Sequence, residues 1–204
     1  MGLDMVTRCK VFHGTDTHSK EKIIKEQHFI ESSRDDEWAG TGVYFFIDSN
    51  ENVAELNAYN WAKNFKDIPI YNIGILFAEI EYNNEEILDL TNDQDLQVFQ
   101  EYRRICFERA AKIAKEKNKQ LSTKYNNASK FDCYVINTIC SKLLYKIVKK
   151  HAYISKLEKT YFGVDMPKSF IPNCTIAAVR DQRIIRKIGE TDGQKTFKTS
   201  EIAH

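Results

Sequence analysis

The order in which apolar periodicities follow one another constrains this chain more than any other feature. It reads strand, helix, strand, helix, strand, a long helical block, then two strands. Strands alternating regularly with helices would build a doubly wound parallel sheet, and this order does not alternate. The expectation is an α+β domain spanning residues 1–204, with a helical insertion near 92–160 and a polar tail from about 190. The three prolines, Pro69, Pro167 and Pro172, mark no linker, and no repeat or low-complexity tract divides the chain.

The first strand is predicted at residues 8–12, ending on His13-Gly14-Thr15, with Asp16 or Thr17 capping a helix over 19–27. A polar loop, 31–37, leads through Trp38-Ala39-Gly40-Thr41-Gly42 into an apolar strand at 43–47. Asn50 lies in a turn suited to cap a helix over 51–64, on which Val53, Leu56, Ala58, Trp61 and Phe65 share an apolar side. A strand over 71–82, a short edge element at 87–90, helices over 95–118 and about 132–150, and strands at 175–179 and 183–188 complete the reading.

Composition excludes several classes. A net charge of +1 gives no whole-molecule field favouring nucleic acid or membrane. No apolar run approaches the roughly 20 residues needed to span a bilayer. The first ten residues carry Asp4 and no apolar core, so they do not read as a signal peptide, and Val6 stands where myristoylation expects Ser or Thr. Five scattered cysteines form no CxxC pair, which argues against a zinc ribbon or a disulfide scaffold and for a reducing cytoplasm. There is no metal-ligand cluster, nucleophile elbow, Walker loop or Rossmann glycine pattern.

Three short segments carry chemistry. Phe12-His13-Gly14-Thr15 sets a ring donor at a strand end beside backbone that a ligand can approach. Gly40-Thr41-Gly42-Val43-Tyr44-Phe45 brings a glycine-rich turn into an aromatic strand, and Trp61-Ala62 follows on the next helix. Tyr44 and Trp61 could sandwich a flat cationic ring such as nicotinamide, by stacking and cation–π attraction. Each segment alone has a structural explanation: a turn histidine, a buried strand, a core tryptophan.

In this order the segments resemble the ADP-ribosyltransferase superfamily, in its diphtheria-toxin and poly(ADP-ribose) polymerase branch. That branch sets a His, a Tyr and usually a Glu on three strands of a split β-sandwich of two antiparallel sheets. The His-Gly-Ser/Thr motif is matched by His13-Gly14-Thr15, and the Gly-x-Gly-(Ile/Val)-Tyr-Phe motif by residues 40–45. The detailed match covers about residues 11–63, with a looser one at 174–188. The resemblance implies NAD as co-substrate, no metal, and transfer of ADP-ribose to a protein or nucleic acid. It gives His13 the nicotinamide ribose, Gly14 the carboxamide, and Tyr44 and Trp61 the ring, with Phe45 also among the NAD-binding residues. Thr15, Ser32 and Arg34 would meet the adenosine half. The family's Glu has no counterpart, because the late strand reads Thr175-Ile176-Ala177-Ala178-Val179 and places Thr175 or Ile176 there. Ile176 is taken as the third position, with Asp165 and Glu190 as the nearest acids. An apolar third residue implies mono-ADP-ribosylation. NAD glycohydrolysis and an inactive NAD-binding or interaction module are the alternatives. A toxin or defence effector with an antitoxin or regulator fits the size.

The helical block is rich in cations: Arg103, Arg104, Arg109, Lys112, Lys115, Lys117, Lys119 and Lys124, then Lys142, Lys146, Lys149, Lys150, Lys156 and Lys159, with Tyr145, Tyr153 and Tyr161 between them. Such a pattern suits a nucleic-acid backbone, although a solvated helix face is the commoner explanation.

Overall fold

The computed structural model describes residues 6–157, 167 and 169–191. Strand β1 (Val6–Asp16) runs into α1 (Thr17–Glu26), where Asp16 caps the helix by accepting the Ser19 amide at 2.8 Å. Then follow β2 (Val43–Phe46), α2 (Glu51–Asn60) capped by Asn50, and a π-helical turn, Trp61–Phe65. β3 (Ile73–Asn83) and β4 (Ile87–Asp89) precede the long α3 (Asp93–Glu116), whose cap Asn92 accepts the Asp95 amide. α4 (Ala128–Leu143) is followed by β5 (Ile147–Ala152), β6 (Cys174–Val179) and β7 (Ile185–Glu190).

The seven strands lie in one mixed sheet in the order β4-β5-β6-β2-β1-β3-β7, and only β4 and β5 pair in parallel. The fold is therefore α+β. All seven strands are hydrogen-bonded into one continuous sheet, whose two halves are narrowly joined. β1 pairs with β3 along its whole length, from Val6↔Asn83 to Asp16↔Ile73. β2 pairs with β6 from Val43↔Val179 to Phe46↔Ile176. Between these two blocks β1 and β2 meet at one register, Phe12↔Phe46.

Alternation of side chains across the strands explains the long apolar runs, because both faces of the sheet are covered. Phe12, Phe46, Ile75 and Ala178 face a core with Ala54, Ala58 and Tyr59 of α2, Phe99 of α3 and Val135, Ile136 and Ile139 of α4. Val11, Phe45, Leu76 and Ala177 face a second core, closed by Ile23 of α1 and by Phe29.

Two expectations are overturned here. The helical block ends at Leu143, with Leu144 in the left-handed conformation, and residues 147–152 form an interior strand rather than the end of a helix. On α2 the buried residues are Ala54, Glu55, Ala58 and Tyr59, while Val53 and Leu56 are about 40% exposed. Small residues at helical spacing allow the helix to lie close against β1. A Cβ on Gly14 would come within 1.9 Å of the Ala58 carbonyl oxygen. No helix among the described residues is long and apolar enough to cross a membrane.

Candidate functional site

Beyond the Phe12↔Phe46 pair the ladder between β1 and β2 stops, and a side chain takes its place. His13 Nδ1 lies 2.8 Å from the carbonyl oxygen of Tyr44. A carbonyl only accepts, so Nδ1 carries the proton and Nε2 is left as an acceptor. The ring packs edge-on against Phe29 and Phe45, at 5.4 and 5.8 Å between centroids. Burial lowers its pKa from 6.5 to about 4, against the opposing effect of the Tyr44 bond, so the imidazole is neutral at pH 7.

A cavity of about 520 Å³ opens at this parting of the strands. That is within the roughly 300–1,000 Å³ of small-molecule sites. Because the sheet is parted, residues from both its faces reach the same space. His13, Phe29 and Phe45 come from one side; Tyr44, Phe46, Trp61 and Ile176 come from the other. Nine of the residues singled out from the sequence line it: His13, Gly14, Thr15, Ser32, Arg34, Tyr44, Phe45, Trp61 and Ile176.

The Tyr44 phenol is tied into its own loop. Its oxygen accepts the Ala39 amide at 2.7 Å and its hydrogen goes to the Gly40 carbonyl at 2.8 Å. Burial pushes its pKa well above the usual phenol value. The loop is held in turn by α4 and by Arg180, just past the end of β6. Asn137 Oδ1 accepts from the Thr41 amide at 2.9 Å and from Arg180 Nη1 at 2.6 Å, while the same Arg180 nitrogen donates to the Thr41 carbonyl. Gly40 has φ +74, and a Cβ there would stand 2.6 Å from Asn137 Oδ1, so glycine is required twice over. The helical block is thus a support of the candidate site.

Several expected details change. Gly14 lacks a side chain because α2 presses on it, which the close Ala58 carbonyl explains without a ligand. Trp61 does not stand free as one half of a clamp: Phe65 stacks on it at 3.9 Å and 13° between planes, with Trp38 edge-on at 5.7 Å. Of the two residues weighed for the third position, Ile176 is buried in the cavity wall, while the Thr175 hydroxyl lies 3.0 Å from His151 Nδ1. Glu190 is absent from the wall and pairs with Lys20 at 3.0 Å; Asp165 lies outside the described residues.

Sequence reasoning missed Glu37, Lys66, Lys22 and Phe29, all in the cavity wall. Glu37, 9% exposed, accepts from Ser32 Oγ and from Arg34 Nε. Lys66 is held below the usual lysine range by desolvation. Glu37 lies in a polar loop and Phe29 and Lys66 beyond helix ends, where no periodicity marks them, while Lys22 on α1 reads as one more solvated helix lysine.

The basic run at 142–150 is largely neutralised within the fold. Lys146 pairs with Glu86 and Lys149 with Asp89, and Lys150 Nζ donates to the Trp38 carbonyl. Lys159 and Tyr161 lie outside the described residues. Among the described residues no cluster of three or more His, Cys, Asp or Glu is placed to hold a metal ion.

The chain is 27% identical over 212 residues to the uncharacterized protein MJ0359 of Methanocaldococcus jannaschii, an alignment covering 93% of this chain and 90% of the archaeal one. No family model and no solved structure matches it.

Proposed function

We propose that this chain is an NAD-dependent mono-ADP-ribosyltransferase, and that its sheet is a form of the split β-sandwich in which the two halves keep one point of pairing. The observation that carries the reading is the convergence of both sequence motifs on one cavity, at the place where β1 and β2 part.

In this reading the nicotinamide ring lies against the Tyr44 ring and the aromatic wall of Trp61 and Phe65. His13 is neutral, and its Nε2 accepts a hydroxyl of the nicotinamide ribose. Lys22 and Lys66, which enter no ion pair among the described residues, meet the pyrophosphate. Holding the dinucleotide bent at the glycosidic bond favours loss of nicotinamide. The bond from C1′ to the ring nitrogen breaks, its electron pair neutralises the pyridinium, and an oxocarbenium-like ribose is left. A nucleophilic side chain or base of a macromolecular acceptor then bonds to C1′ and releases its proton. Ile176 offers the acceptor no base, which accords with transfer of one unit rather than chain growth. Water as acceptor gives the second reading, an NAD glycohydrolase.

Incubation of the protein with NAD labelled in the adenosine half, in the presence of protein and nucleic-acid acceptors, tests both readings. Label bound covalently to a macromolecule supports transfer, and free ADP-ribose alone supports hydrolysis. Intact NAD throughout, together with no heat of NAD binding by calorimetry, would rule out both.

A further inference from the structure

Glu37 is an acid in a place where acids are rare. Carboxylates are almost never buried unless paired, and this one is paired on one oxygen. Oε1 takes the Ser32 hydroxyl and the Arg34 guanidinium, the latter at 3.0 Å. Oε2 has no hydrogen-bond partner among the described residues. The neighbouring backbone donors are already engaged: the Ala39 amide with Tyr44, the Gly40 amide with the Glu37 carbonyl, and the Thr41 amide with Asn137. The side chain belongs to the wall of the cavity and Oε2 is not fully enclosed, so it is open to a donor from a molecule bound there.

The chemistry of that donor follows from what surrounds it. Arg34 already offsets the carboxylate charge, so a second cation is not called for, whereas a neutral hydroxyl completes the set with a charge-assisted bond. The Glu37 carbonyl accepts the amide of Gly40, whose own carbonyl takes the Tyr44 hydroxyl, which puts Glu37 at the Tyr44 end of the cavity. We propose that Glu37 supplies the carboxylate of this site and that its Oε2 accepts a hydroxyl of the nicotinamide ribose, the other hydroxyl being left to His13 Nε2. The inference rests on the NAD reading above. A carboxylate held against that ribose also stabilises positive charge as it builds at C1′, so the interaction strengthens during the reaction.

Glu37→Gln is the informative change, because the amide oxygen keeps the bonds from Ser32 and Arg34 while the open acceptor becomes a donor. The expected result is kcat for NAD cleavage lowered about 100-fold, with KM moved less than about threefold and an unchanged melting temperature. Analogues of NAD lacking the 2′- or the 3′-hydroxyl of the nicotinamide ribose supply the second readout. The wild type binds one of them at least about tenfold more weakly than NAD, and Glu37→Gln binds that analogue and NAD alike. A wild type that cleaves NAD beside a Glu37→Gln variant of equal kcat overturns the role of Glu37 and leaves the NAD reading standing. A Glu37→Gln variant that still discriminates against that analogue as the wild type does overturns the assignment in the same way. A wild type that neither binds nor cleaves NAD removes the reading and this inference together.

Discussion

His13 is a histidine buried in its neutral form. Folded, it binds a proton only below about pH 4; unfolded, it does so below 6.5. Between those values the unfolded chain holds more protons, so acid draws the protein toward unfolding. The stability this residue contributes is complete above pH 6.5 and is lost as pH falls through 4. Urea unfolding at pH 7 and pH 4 should show the wild type losing about 2–3 kcal/mol more than His13→Gln. Equal losses would mean that the ring is solvated. Tyr44 calls for a different pair of changes. Tyr44→Phe removes two hydrogen bonds within the loop and keeps the ring, so it should cost about 1–2 kcal/mol of stability and leave NAD affinity within a few-fold. Tyr44→Ala removes the wall itself and should abolish turnover in a folded protein, read by circular dichroism beside the NAD assay.

At the scale of elements, α4 decides how well the glycine turn is held. Asn137 Oδ1 is the shared acceptor for Thr41 and Arg180, so Asn137→Ala leaves the Thr41 amide without its acceptor and Arg180 with the Thr41 carbonyl alone. It should lower stability by about 1–3 kcal/mol and reduce turnover at least about tenfold, although Asn137 is not in the cavity wall. Unchanged kinetics would make α4 a bystander. This coupling was not legible in the sequence, because residues 41 and 137 share no local pattern. What was legible lies where a short motif and a strand end coincide. His13-Gly14 and Gly40 to Phe45 each mark a chain reversal beside an apolar strand, and both cores depend on those strands. β5 was read as helix because its buried residues, Ile147 and Val148, form too short a run between lysines to show a period of two. The face of α2 was misjudged because hydrophobic size suggested Val53 and Leu56, whereas close approach to Gly14 selects alanine. Glu37 and Lys66 were invisible because only the folded path of the chain brings them to the cavity.

For the whole molecule the decisive feature is the seam between the blocks β4-β5-β6-β2 and β1-β3-β7, closed by Phe12↔Phe46 and by His13 reaching the Tyr44 carbonyl. A sheet needs a continuous ladder to resist opening, and here the ladder is interrupted where the cavity lies. A ligand in that cavity touches both blocks, so its binding energy should appear as resistance to separation. At 100 times its dissociation constant NAD should stabilise the fold by about 2.7 kcal/mol, which for a chain of this size raises the melting temperature by roughly 5–10 °C. Hydrogen exchange should localise the effect: amides flanking the seam, at residues 12–15 and 43–46, gain protection on NAD binding, while those of the β3–β7 ladder change little. Protection confined to β3 and β7, or spread evenly over the sheet, would place the ligand elsewhere and separate the cavity from the function assigned to it.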